Sequence, residues 1–128
     1  MMKTLAAAGI VISALTFGAF IASAATTAPA TISDTSKGKI WVDAKGMALY
    51  TFDKDVAGKS NCNAKCAVAW PPLPVLAGVT ASGDWTIIAR DDGSKMWAYK
   101  SHPLYTFVYD KKPGQVTGDG KDGFHIAT

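Results

Sequence analysis

The chain has 128 residues, with 13 Lys and Arg against 10 acidic residues and a formal net charge of +3. So mild a surplus, spread along the chain, lacks the clustered basic footprint of a nucleic-acid-binding protein. All the acidic residues are Asp, set among 12 Gly and 6 Pro; Asp favours turns and caps and Glu favours helix interiors, so long helices are not expected.

Met1-Met2-Lys3 is a basic start, Leu5 to Ile21 an uncharged apolar run, and Ala22-Ser23-Ala24 a small-residue cleavage site. That order predicts a secretory signal peptide over 1–24. The run is short for a spanning helix and ends in a cleavage motif instead of a basic stop, so a retained anchor is the weaker reading. No Cys stands at the cleavage point to accept a lipid. A periplasmic or secreted chain without a membrane anchor is expected. Residues 25–37, rich in Ala, Thr and Ser, read as a flexible leader. A single β-rich domain is expected over 38–128, carrying repeats at about 38–73 and 93–127.

Lys39 to Val42 is β-prone, "DAKG" at Asp43 to Gly46 is a turn, and Met47 to Phe52 is β-prone again. The second strand carries Tyr50-x-Phe52-x-x-Asp55. The same word returns as Tyr105-x-Phe107-x-x-Asp110, preceded by Lys95 to Tyr99 and a turn at "KSHP". The repeat is therefore a whole hairpin headed by Trp41 or Trp97. Between the copies, Asn61 or Asn63 is placed to cap a short helix over about 64–69, which Pro71 and Pro72 would end. Asp84 to Ala89 reads as a strand, "RDDGSK" as a turn, "KKPGQVTGDGKDG" as a Gly-rich loop, and Phe124 to Ala127 as a last strand. The expected fold is mainly β: a small antiparallel sheet domain built from two similar hairpin repeats, with one short helix between them. One copy could not bury its aromatic face alone; two paired copies could.

These stretches resemble a family of small exported bacterial proteins and lipoproteins with a repeated Tyr-x-aromatic-x-x-Asp motif, described as a secreted repeat of unknown function. "GMALYTFDKD", "GKSNCNAKCAVAWPPL", "DDGSKMWAYKSHPLYTFVYD" and "PGQVTGDGKDGFHI" carry the resemblance across nearly all of 38–127. The resemblance implies export and architecture. It implies no activity, substrate or catalytic residues.

Tyr50, Phe52, Asp55, Tyr105, Phe107 and Asp110 have a structural and a ligand-gripping reading. In the structural one, the rings pack a sheet face, each hydroxyl finds a polar partner, and each Asp ties down the turn that follows. Cys62 and Cys66, the only cysteines, point to a disulfide in an exported chain. The rival is copper or redox chemistry at Cys62 and Cys66, with His102, His125, Met47 or Met96 as further ligands. The enzymatic reading would use His102 with an Asp, or the pair His102 and His125 as a general base, and no nucleophile sits in a recognisable context for either. Asp119 and Asp122 in "GDGKDG" invite calcium, but the twelve-residue EF-hand loop ends in a Glu that this chain lacks. Trp70-Pro71-Pro72-Leu73-Pro74 is either a polyproline ligand or a rigid exit from the helix with Trp70 in the core. The leading expectation is a small non-enzymatic envelope protein without a cofactor, a binding or structural module whose partner is an envelope protein or a small ligand. The alternative is a periplasmic copper-binding or redox protein.

Overall fold

The computed structural model describes residues 28–128; the expected signal peptide over 1–24 lies outside the described residues. Seven strands and one helix occur among them. They are β1 (Thr31–Thr35), β2 (Gly38–Val42), β3 (Tyr50–Phe52), α1 (Lys65–Ala69), β4 (Trp85–Ala89), β5 (Lys95–Tyr99), β6 (His102–Pro103) and β7 (Phe124–Ile126). The fold is mainly β, with small antiparallel sheets and two repeat units.

The stretch expected to be a leader is a strand from Thr31 onward. β1 pairs antiparallel with β2, Thr31 opposite Val42 and Thr35 opposite Gly38. Its polar side chains disguise it, because a ladder is made by backbone groups and needs an apolar face only where a core lies behind it. Thr35 Oγ1 accepts the Lys37 N–H, and Gly38 turns the corner at φ 93°. β4 and β5 repeat the arrangement, Trp85 opposite Tyr99 and Ala89 opposite Lys95. Each repeat therefore opens one strand earlier than its Trp-bearing strand.

From there each copy folds back once more. Val42 bridges Ala48 in the first copy, and Ala98 bridges Pro103 in the second. The two returning strands meet at Tyr50 and Tyr105, which exchange backbone hydrogen bonds of 2.8 and 2.9 Å. A pseudo-twofold relation runs through this contact. The ends of the copies are then traded. β7, the tail of the second copy, pairs with β3 of the first, Tyr50 opposite Ile126 and Phe52 opposite Phe124. The Trp70-Pro-Pro-Leu73 tail of the first copy lies on the second, Pro72 bridging Tyr105. Pro has no N–H, but the Pro71 carbonyl still accepts from Thr106.

Each corner closes in a three-way ring of backbone bonds. Leu49 N–H donates to Trp41, Trp41 to Ala127, and Ala127 back to Leu49, at 2.8–3.0 Å. In the second copy Leu104 donates to Trp97, Trp97 to Leu73, and Leu73 to Leu104, at 2.9–3.1 Å. Three segments that close on each other expose few unpaired edge groups at that end.

Between the halves runs a column of rings. Phe52 stacks on Phe124 at 4.2 Å, Phe124 on Trp70 at 3.8 Å, and Trp70 on Phe107 at 4.2 Å. Tyr50 meets Trp70 edge-on, and Tyr105 meets Phe124 edge-on, at 5.2 and 5.3 Å. Phe52 and Phe107 thus stack on rings supplied by the other copy, while Tyr50 and Tyr105 lie edge-on to rings of their own copy. Gly118 passes so close that a Cβ there would lie 2.6 Å from Trp70 and 2.8 Å from Phe107.

The short helix starts at Lys65, and neither Asn caps it. Ala64 precedes it with a positive φ of 53° and no side-chain cap. Asn61 and Asn63 are engaged elsewhere, donating from their amides to the Lys54 carbonyl and to Asp91.

Candidate functional site

The motif residues form two buried nodes, each assembled from both copies. The Tyr50 hydroxyl donates to Asp110 Oδ2 at 2.6 Å, and the Tyr105 hydroxyl donates to Asp55 Oδ2 at 2.6 Å. Tyrosine and aspartate of one motif copy do not bond each other; each reaches into the opposite copy. A β-strand carries its side chains sideways, and the pairing of Tyr50 with Tyr105 aims each ring at the loop beyond the other strand.

The two nodes are finished differently. Asp110 Oδ1 accepts from the backbone N–H and the hydroxyl of Thr117, at 2.8 and 2.6 Å, and Tyr50 Oη accepts the Gly118 N–H. Asp55 Oδ1 accepts the Asn61 N–H at 2.6 Å. The Tyr105 proton goes to Asp55, so Ser60 Oγ, 2.6 Å away, donates to Tyr105 Oη. Behind Ser60 lies Arg90, only 5% exposed, which donates to Ser60 Oγ and to the Cys62 carbonyl. A buried arginine in the turn "RDDGSK" has no signal in sequence beyond its type, since such a turn ordinarily faces water.

Burial raises the Asp55 carboxyl, a push that the Tyr105 hydroxyl, the Asn61 amide and the Arg90 charge oppose. Burial, reinforced by the bond to a carboxylate, drives the Tyr50 and Tyr105 hydroxyls well above the ordinary tyrosine range. Both phenols hold their protons firmly, which suits hydrogen-bond anchors and not acid–base exchange near neutrality.

Cys62 and Cys66 are joined by a disulfide across a Cα separation of 5.2 Å. The weak metal candidates Cys62, Cys66, His102 and His125 are not gathered. The cysteines bridge each other, His125 Nε2 lies 2.8 Å from Asp53, and His102 stands on the rim of a groove. Among the described residues no three His, Cys, Asp or Glu side chains form a metal-holding group. Asp119 accepts the Ile126 N–H, and Asp122 sits in a turn at φ 53°. Trp70 is buried and Pro72 bridges Tyr105, so the Pro71–Pro72 run is docked on the second copy by a bridge and is not a free ligand segment.

Two open grooves flank the core and obey the same pseudo-symmetry. In each, a Trp and a Thr from one copy face the hairpin turn of the other. The first, about 460 Å³, sets Trp41 and Thr51 against Tyr99, Lys100 and His102. The second, about 690 Å³, sets Trp97 and Thr106 against Asp43, Ala44 and Lys45, with a floor of Pro71, Pro72, Leu73 and Pro74.

Two interlocked copies of one hairpin unit, sharing a single aromatic core, define a duplicated β module. A family model described as a secreted repeat of unknown function matches residues 31–74 and 86–125, beginning with β1 and inside β4. The chain belongs to this family. No curated protein and no solved structure matches it. Among the described residues no helix is long and apolar enough to cross a membrane.

Proposed function

We propose that this secreted-repeat protein is a non-enzymatic binding module of the cell envelope, with the Tyr–Asp motif as its internal fastener and the two grooves as its contact surfaces. One observation carries this. The motif side chains with chemistry to offer (Tyr50, Asp55, Tyr105 and Asp110) bond one another across the copies, with three of the four buried and Asp55 partly so. The copies diverge where the grooves are lined. The turn Asp43 to Met47 stands opposite Tyr99 to His102, and the Pro-rich tail stands opposite Phe124 to Ala127. Shared residues in a duplicated unit serve the fold, and divergent surface residues serve partners.

The test is a titration of isotope-labelled protein with separated envelope fractions: peptidoglycan digest, acidic polysaccharide, lipid and envelope protein. Amide shifts confined to one groove, with core signals unmoved and no component turned over, are expected. A fraction that is chemically converted, or shifts absent with every fraction, sinks the proposal.

A further inference from the structure

The Trp41 groove is unlike its pseudo-symmetric twin in a way that specifies a ligand. Position for position, the first copy's turn has Asp43, Ala44 and Met47 where the second has Tyr99, Lys100 and His102. Asp43 is occupied with its own turn, its Oδ1 accepting the Lys45 and Met47 N–H groups, and Gly46 takes the left-handed position at φ 83°. The second turn uses no glycine. Lys100 and Ser101 both sit at positive φ, 50° and 72°. Two successive left-handed positions are the place for Asn-Gly, and other side chains are strained there. The strained turn presents a cation and an imidazole beside aromatic faces.

Those faces belong to a cluster. Trp41 and Tyr99, both partly exposed, lie 4.9 Å apart at 56°, and each leans on the buried Trp85, at 5.3 and 4.7 Å. Buried backing holds them rigid, so little rotamer freedom remains to be lost on binding. Thr51 adds a hydroxyl; among the described residues no Asp side chain lines this groove, and the one carboxylate among its lining residues is the α-carboxylate of Thr128. In the twin groove Trp97 is 2% exposed and offers no such face.

We propose that the Trp41 groove binds a carboxylate-bearing saccharide, its ring stacked on Trp41 with Tyr99 tilted beside it and its carboxylate held by Lys100 and His102. Apolar sugar faces suit flat aromatic surfaces. Charge-assisted hydrogen bonds from a cation are the strong way to recognise a carboxylate. A uronic acid polymer and the muramic acid of peptidoglycan both present this chemistry. The inference rests on the grooves being contact surfaces.

The test titrates labelled protein with tetragalacturonate, with an N-acetylmuramic acid disaccharide, and with a neutral glucose tetrasaccharide. Either acidic sugar is expected to shift Trp41, Tyr99, His102 and Ile126 with a Kd of order 1 mM, and the neutral one to bind about tenfold more weakly, the loss of one such contact. The tighter acidic sugar identifies the source. Lys100→Gly is the decisive variant. It removes the cation and relieves the left-handed strain, so Tm should hold or rise while acidic-sugar affinity falls about tenfold. Undiminished binding by Lys100→Gly, equal binding of the neutral sugar, or shifts in the Pro71–Pro74 groove instead would overturn the proposal. No response to either acidic sugar, with another envelope fraction still shifting a groove, sinks this inference alone. Silence from every fraction takes the binding-module reading with it.

Discussion

The node around Asp55 and the node around Asp110 hold the same bond in different shells. One is closed by Ser60, the buried Arg90 and the disulfide loop; the other by Thr117 and the backbone of a Gly-rich turn. A carboxylate taken out of water needs its lone pairs filled, and the two loops meet that need with different groups. The Tyr–Asp pair is the fixed element of the design. What completes it is free to vary, and only one copy uses a buried charge to do so.

The largest expected effects separate the nodes. Arg90→Met keeps the volume but strips the Cys62 carbonyl and Ser60 of a charged donor, which should cost about 3 kcal/mol. Asp55 should then titrate still higher, having lost the cation that opposes its burial. Gly118→Ala strikes the other node by pushing a methyl into Trp70 and Phe107, and should cost about 2–3 kcal/mol. Denaturant unfolding measures both, and a neutral result for either would remove that residue from its node.

Next come the shared bonds. Tyr50→Phe and Tyr105→Phe should each cost about 2 kcal/mol, since each leaves a buried acceptor short of its donor. A double-mutant cycle of Tyr50→Phe with Asp110→Asn should show coupling of about 1–2 kcal/mol, and Tyr50→Phe with Asp55→Asn should be close to additive. Coupling inside one motif copy would contradict the traded geometry. Reducing the Cys62–Cys66 bridge opens a very short loop and should cost no more than about 2 kcal/mol, felt at the Asp55 node alone. Hydrogen exchange under reducing conditions would locate that loss.

The smallest effect is a pH response. The folded state holds the Tyr50 and Tyr105 protons more tightly than the unfolded chain does. Their contribution is therefore complete below the unfolded tyrosine pKa near 10 and is lost as pH climbs through the folded values. Thermal scans should show stability falling above about pH 10, with a shallower fall in either Tyr→Phe variant. Asp55, also raised, has the same sign at the acid end. Its contribution is complete below the ordinary carboxyl range and is lost as pH rises through its folded value, and Asp55→Asn should flatten that slope.

The sequence made the hairpins, the bridging cysteines, the buried Trp70 and the packing faces of Tyr50 and Phe52 readable, because each rests on local periodicity or spacing. β1 was hidden because Thr31–Thr35 pairs through its backbone and buries almost nothing. The traded nodes were hidden because Tyr50 and Asp110 stand 60 residues apart and Tyr105 and Asp55 stand 50 apart. Spacing within one motif invites pairing within one motif, and the strand geometry forbids it. Arg90 was hidden because nothing local marks a turn arginine that folds inward. The grooves depend on which turn faces which strand, and that follows only from the exchange of tails.

The column of rings also sets an order of events. Phe52 is contributed early in the chain, Trp70 near its middle, and Phe124 only four residues before Thr128. Phe124 stacks on both of the others. A chain emerging N-terminus first holds Phe52 and Trp70 without the ring that joins them until Phe124 has followed. Contacts of such sequence separation form slowly, after the loop between them has closed. The ring column is therefore completed by its longest-range contact, and the two copies set together when Phe124 closes onto Phe52 and Trp70.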